Sequence, residues 1–108
     1  MRTIRKKRDF HEVLREGKTR RYQGFTVKYL AGGIEAATFG FSLPKKFGGS
    51  VLRNRARRRI KEAVRLHLGE FPPGKYLFVA GKPALEGEFK ELEKELVSFC
   101  EAVRDETG

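Results

Sequence analysis

The chain has 108 residues, 24 Lys and Arg against 14 Asp and Glu, and a formal charge of +10. That length predicts one domain, residues 1–108, and nine Phe with three Tyr supply material for a core, which excludes disorder by composition. Cys100 is the single cysteine and can form no internal disulfide, and the longest apolar run, Tyr76 to Ala80, is far below the roughly 20 residues of a membrane span.

The first predicted element is a short helix capped by Asp9, with Glu12 completing a box-like arrangement and Gly17 as its stop. Phe10, Val13 and Leu14 share one face of it. Tyr22-Gln23-Gly24 reads as a short strand broken at the glycine. From Phe25 to Leu30 the pattern alternates, with Phe25, Val27 and Tyr29 on one side. Gly32-Gly33 then offers a turn tolerant of positive φ, and Ala37, Phe39, Phe41 and Leu43 alternate beyond it, so a β-hairpin is expected.

Gly48-Gly49 precede Ser50, a good helix cap, and the run VLRNRARRRIKEAVRLH follows. Leu52, Ala56, Ile60, Ala63 and Val64 fall on one stripe, predicted to face the core. Arg53, Arg55, Arg57, Arg58, Arg59, Lys61 and Arg65 lie outside it, interrupted among polar positions only by Asn54 and Glu62. Lys75 to Ala80 reads as an interior strand covered on both faces. The last segment spaces Phe89, Leu92, Leu96, Phe99, Cys100 and Val103 as a helix, with its glutamates mostly on an acidic outside. This order of elements predicts a compact α+β sandwich.

The charge is unevenly placed. Residues 1–67 hold 19 Lys and Arg against 5 Asp and Glu, a balance of +14, while residues 68–108 hold 5 against 9, a balance of −4. Such a field attracts polyanions; nucleic acid, an anionic membrane surface and an acidic protein all satisfy it. Like charges three and four apart work against an isolated helix, so seven cations on one helix need a purpose beyond solvation. The arginine fork suits phosphate oxygens, which position a nucleic acid without reading its sequence. Double-stranded DNA fits the charge, but no helix-turn-helix, zinc-finger or zipper pattern accompanies it. Aromatic side chains beside cations suit unpaired bases, with Phe10, Phe25 and Tyr29 as candidates. The search for catalytic groups is negative: His11 and His67 are distant in sequence, no cysteine stands near either with zinc-site spacing, and the C-terminal glutamates do not converge. No metal-ligating set is predicted.

The stretch KKFGGSVLRNRARRRIKEAVR, Lys45 to Arg65, resembles the protein subunit of bacterial ribonuclease P, whose pattern matches at Lys45, Lys46, Gly48, Val51, Arg53, Asn54, Arg55 and Arg58. The resemblance extends upstream to RKKRDFHEVLREG and downstream to KYLFVAGKPAL. It implies a two-layer α/β sandwich like the second domain of ribosomal protein S5, with a left-handed βαβ crossover and a four-stranded sheet. Its fourth strand is expected at Tyr22.

The resemblance also implies a cytoplasmic protein that assists a catalytic RNA in cutting the 5′ leader from precursor tRNA, without itself being the catalyst. Mg2+ would be held mainly by the RNA, and no membrane or small-molecule substrate is implied. Lys45, Lys46, Arg53, Asn54, Arg55, Arg57, Arg58, Lys61 and Arg65 would contact the catalytic RNA. Phe10, Leu14, Phe25 and Lys28 would line the cleft for the leader. Leu14 stands where the family often has an aromatic, and Lys28 where some members have tyrosine, so the cleft would rely on charge more than stacking. A structural RNA-binding protein, such as a ribosomal protein, is the rival reading, and a stand-alone nuclease ranks third.

Overall fold

A computed structural model describes residues 1–44 and 48–107. Its elements in chain order are β1 (Arg2–Thr3), α1 (Lys7–Glu16), β2 (Lys18–Arg21), β3 (Phe25–Ala31), β4 (Ala37–Ser42), α2 (Ser50–Leu66), β5 (Gly74–Ala80), α3 (Pro83–Glu86) and α4 (Phe89–Thr107). The strands form one mixed sheet in the order β1-β4-β5-β3-β2. β4 and β5 are parallel neighbours joined through α2, which is the expected βαβ crossover in an α+β fold.

β5 takes the centre because its apolar run leaves it no other place. Tyr76, Leu77 and Phe78 are all buried although successive residues point to opposite faces. That central position overturns the expected hairpin between β3 and β4. Gly32 and Gly33 do adopt positive φ, 79° and 77°. The strands they connect, however, do not pair with each other, because β5 lies between them, antiparallel to β3 and parallel to β4. The connection is a wider loop tied by the Gly32 N–H donating to Pro73 O at 2.8 Å. The hairpin in the structure is β2–β3, and Tyr22 to Gly24 is its turn rather than a strand. The additional strand is therefore β2, immediately upstream of Tyr22, and the two-residue β1 adds a parallel edge beside β4.

The two faces of the sheet carry different loads. Phe25, Val27, Tyr29, Phe39, Tyr76 and Phe78 point towards α2 and α4, where they meet Ala56, Ile60, Phe99 and Val103 in the main core. Phe99 of α4 sits edge-on to Tyr29, Tyr76 and Phe78 with centroids 5.1–6.2 Å away, a favoured aromatic arrangement. Among the described residues, the opposite face is covered by α1, which packs on β3 and β5. Val13 and Leu77 are buried there, outside the main cluster.

Two helix starts differ from expectation. The residue before α1 is Lys6, and Asp9 lies within the first turn, where its carboxylate accepts from Lys75 Nζ at 3.2 Å instead of capping. Gly49 precedes α2, so Ser50 is its first residue and makes no cap bond. Leu52 is 41% exposed rather than in the core, because the buried stripe is Ala56, Ile60, Ala63 and Val64. Gly17 ends α1 as expected, with its N–H bonded to Val13 O. Glycine is required there because a Cβ would stand 2.4 Å from that oxygen and 3.3 Å from Tyr29 N.

The acidic outside of α4 holds only in part. Glu95 accepts from the Gln23 and Gly24 backbone N–H groups at 2.7 and 2.8 Å, which fixes the β2–β3 turn. Glu106 accepts from Tyr29 Oη at 2.8 Å and from Arg20 at 3.0 Å, and pairs with Lys18. Burial pushes the Glu106 carboxyl up, but the bonds from Arg20 and Tyr29 more than offset it and leave it below the usual range. Glu93 holds His67 Nε2 at 2.9 Å. These three acids are structural ties.

Candidate nucleic-acid interface

The cations of α2 divide by what holds them. Arg59 lies on the flank facing α3 and α4, donates to Gly87 O, and stacks over Phe89 with its guanidinium carbon 6.0 Å from the ring centroid. Arg65 pairs with Glu62 one turn away, and that pairing draws the Glu62 carboxyl below its ordinary value. Arg53, Arg55, Arg57 and Arg58 have no carboxylate partner among the described residues, and the glutamates of α4 do not reach them. Arg55, Arg57 and Arg58 are exposed.

On the flank nearest β4, Arg53, Asn54 and Arg57 line a recess of about 300 Å³ with Phe41, Leu43 and Ser50. Arg57 donates to Asn54 Oδ1 at 2.7 Å, and this bond leaves the Asn54 amide hydrogens free to meet an acceptor. Lys61 sits one turn on, its ammonium 5.6 Å from the Phe41 centroid. The Nε of Arg53 is buried without a partner, a donor in need of an acceptor. Sequence reading missed the contribution of Phe41 and Leu43. They alternate with Phe39 on one side of β4 and pack partly against the main core, and the same two residues also line this recess, which alternation alone does not show.

On the far face of the sheet, Phe10 lies over Gly40. A Cβ at Gly40 would come within 3.1 Å of Phe10 Cζ and of Leu77 Cδ1. Lys28 Nζ reaches Leu14 O at 3.4 Å, and Leu14 is 48% exposed. The structure therefore brings Phe10, Leu14 and Lys28 together beside α1. Phe25 does not join them: it is 1% exposed and packs against Phe78 and Tyr22 in the main core. Alternation could have shown this, since residues three apart on a strand face opposite ways and Lys28 and Phe25 cannot line one cleft. Tyr29, the other aromatic candidate, is also buried. Lys45 and Lys46 lie outside the described residues.

The model of the family described as ribonuclease P matches residues 1–104 of this chain. The chain belongs to the ribonuclease P protein family. The ribonuclease P protein component of Listeria innocua is 37% identical over 104 residues, covering 94% of this chain and 87% of its own. That of Finegoldia magna is 33% identical over 98 residues, covering 90% and 86%. The solved ribonuclease P protein from Thermotoga maritima superposes with a TM-score of 0.79 at 24% identity, over 93% of this chain and 96% of that one, a likeness of fold. Within this family frame the α2 ridge and the α1 face stand on opposite sides of one sheet.

Other titratable groups form no converging set. His67 is bridged by Glu70 and Glu93, and His11 is exposed. Among the described residues no group of three or more His, Cys, Asp or Glu is placed to hold a metal ion. Asp9 and Glu12, the acids nearest the cleft, are drawn to Lys75, whose ammonium is raised first by its bond to Glu12. Burial pushes the Cys100 thiol up to about 12. Among the described residues no helix is long and apolar enough to cross a membrane.

Proposed function

We propose that this chain is the protein subunit of a ribonuclease P ribonucleoprotein in which a catalytic RNA cleaves the 5′ leader from precursor tRNA. The observation that carries this reading is the row of arginines on α2, Arg53, Arg55, Arg57 and Arg58, without carboxylate partners among the described residues, in a chain of this family. Asn54, Lys61 and Arg65 complete the proposed docking surface for the catalytic RNA, with Lys45 and Lys46 assigned to it from the family pattern. Contacts there go to phosphate oxygens and fix position without reading bases.

The leader runs over the α1 side of the sheet, where Phe10 offers a half-buried ring over Gly40, Leu14 an exposed apolar side chain and Lys28 a cation. A precursor carries a leader and the mature product does not, so contacts on that side favour precursor over product. The protein's contribution is differential binding, and the bond-breaking step belongs to the RNA. Mg2+ supports the RNA's fold and its phosphate chemistry, and this reading assigns it mainly to the RNA subunit. The working compartment is the bacterial cytoplasm.

The test is precursor-tRNA cleavage by purified protein, by a bacterial catalytic RNA, and by both together. The expected result is no cleavage by protein alone and a lower Mg2+ requirement when it joins the RNA. Robust cleavage by RNA-free protein, or no effect on the RNA together with co-purified ribosomal RNA, would overturn the proposal.

A further inference from the structure

The outward side of α4 belongs to neither surface proposed above. At about 100° per residue, Lys90, Lys94, Val97, Ser98, Glu101 and Asp105 fall on one stripe of this helix, opposite the buried stripe of Leu92, Leu96, Phe99, Cys100 and Val103. Val97 is half-buried and the others are exposed. From Lys90 to Glu101 the stripe, with His67 and Glu93, lines an open groove of about 490 Å³.

The charges on the stripe have an order. Lys90 and Lys94 lie towards the N-terminal end of α4, and Glu101 and Asp105 towards its C-terminal end. That order opposes the helix dipole, which favours anions at the N-terminus and cations at the C-terminus. Glu91 and Arg104, which do suit the dipole, flank the stripe. Pairing within the fold does not account for the order either. Among the described residues Lys90, Glu101 and Asp105 have no ion-pair partner, and Lys94 meets Glu91 at 3.4 Å with both side chains exposed, a contact of small worth that is readily exchanged. Glu93, at the edge of the groove, is already held by His67.

An antiparallel copy of the same helix satisfies every one of these charges. With a twofold axis between Val97 and Ser98, Lys94 stands opposite the second copy's Glu101 and Lys90 opposite its Asp105, and symmetry makes each contact twice. Ser98 facing Val97 keeps the centre small enough for the helix axes to approach to about 8–10 Å. The two helix dipoles then run in opposite directions, whereas a parallel copy would set like charges together.

We infer that the outer stripe of α4 is a self-complementary interface through which two copies of this chain associate, without RNA. The inference goes beyond the function proposed above and does not depend on it. One helix pair joined by exposed ion pairs around a half-buried valine falls short of the roughly 1,200 Å² of a stable interface, so the dimer is reversible and forms at micromolar or higher protein concentration. It weakens as salt screens the pairs.

Sedimentation equilibrium of the full chain, free of RNA, over a range of protein concentration and at low and high salt, tests this. The parent should show a monomer–dimer equilibrium that moves towards monomer at high salt. Lys94→Glu and Glu101→Lys each set like charges together twice per dimer, and each should lower the association constant about tenfold or more. Both positions are exposed, so the melting temperatures should stay close to the parent's. Mixed in equal amounts, the two variants should associate with each other as the parent does, because every facing pair is again of opposite sign, and the double variant should regain its dimer. That rescue requires Lys94 to face Glu101 across the interface. A dimer indifferent to both reversals, or variants that fail to rescue one another, would overturn the inference. A parent that stays monomeric at every concentration would also overturn it, and would leave the stripe to a protein of another kind.

Discussion

Arg58 and Arg59 are neighbours on one helix and should fail in opposite ways. Arg58 is exposed and unpaired among the described residues, so R58Q should leave stability within about 0.5 kcal/mol of the parent. It should remove about one phosphate neutralisation, making the salt slope of RNA binding shallower by about 0.7–0.9. R59Q removes the charged donor from Gly87 O and the cation over Phe89. A hydrogen bond from a charged group contributes about 1.5–3 kcal/mol and an exposed cation–π contact about 0.5–1. Against that loss stands relief, because Arg59 Nε is buried without a partner and leaves with the side chain. An orphan donor costs about 1–3 kcal/mol, so the net destabilisation is about 1 kcal/mol. For a domain of this size that is a fall in melting temperature of about 4–8 °C per kcal/mol. Urea denaturation and salt-dependent RNA binding on both variants make the comparison. Should R58Q prove the unstable one while R59Q alone loses salt-sensitive binding, the division of α2 into held and free cations is wrong.

Three further outcomes follow from individual side chains. E95Q should weaken the β2–β3 turn by about 1.5–3 kcal/mol, the worth of charged hydrogen bonds, and the Gln23 and Gly24 amides should lose protection in hydrogen exchange; unchanged protection would refute the anchor. The His67 imidazole is raised above its ordinary value, first by its bond to Glu93 and also by Glu70. Its stabilisation should therefore be complete below about pH 6.5 and decline as pH rises through the folded value. The melting-temperature gap between parent and H67Q should narrow from pH 6 to pH 8.5, and a widening gap would contradict the sign. Cys100, buried and with its thiol pushed up to about 12, should resist a thiol reagent in native protein and react once unfolded.

How much of this was legible in the sequence depended on the range of the interaction. The faces of α2, α4 and β5 are local periodicities, and Ala56, Ile60, Phe99 and Val103 stand where those periods place them. Strand order is not local. The Gly32-Gly33 turn has the backbone of a hairpin, and only the competing need of Tyr76, Leu77 and Phe78 for burial shows that β5 must part the two strands. Capping failed similarly: Asp9 has the composition of a cap, but Lys75, 66 residues away, takes its carboxylate. For the site, the arginines of α2 were readable because nothing else in the sequence explains them. Phe25 lies outside the cleft because its position on β3 faces opposite to that of Lys28, so aromatic character alone does not place it. The distinction between Arg58 and Arg59 depends on Gly87 and Phe89, which only the tertiary fold brings to α2.

The uneven charge of the sequence becomes a spatial division with a consequence for salt. Glutamates of α4 neutralise the cations of β2 through Glu106, and Glu93 and Glu95 serve His67 and the hairpin turn. Among the described residues, cations without carboxylate partners are concentrated along α2 and residues 2–8, where like charges three and four apart repel. Free protein should therefore gain stability when salt rises from about 0.05 to about 0.2 M, as screening relieves that repulsion. The complex with RNA should weaken over the same range, because each neutralised phosphate has released counterions that salt drives back. Melting curves of free protein and binding titrations at matched salt read the two effects separately, and they must have opposite signs. A free protein destabilised by salt would mean that attractive pairs dominate its surface, and that the arginines of α2 are already spent within the fold.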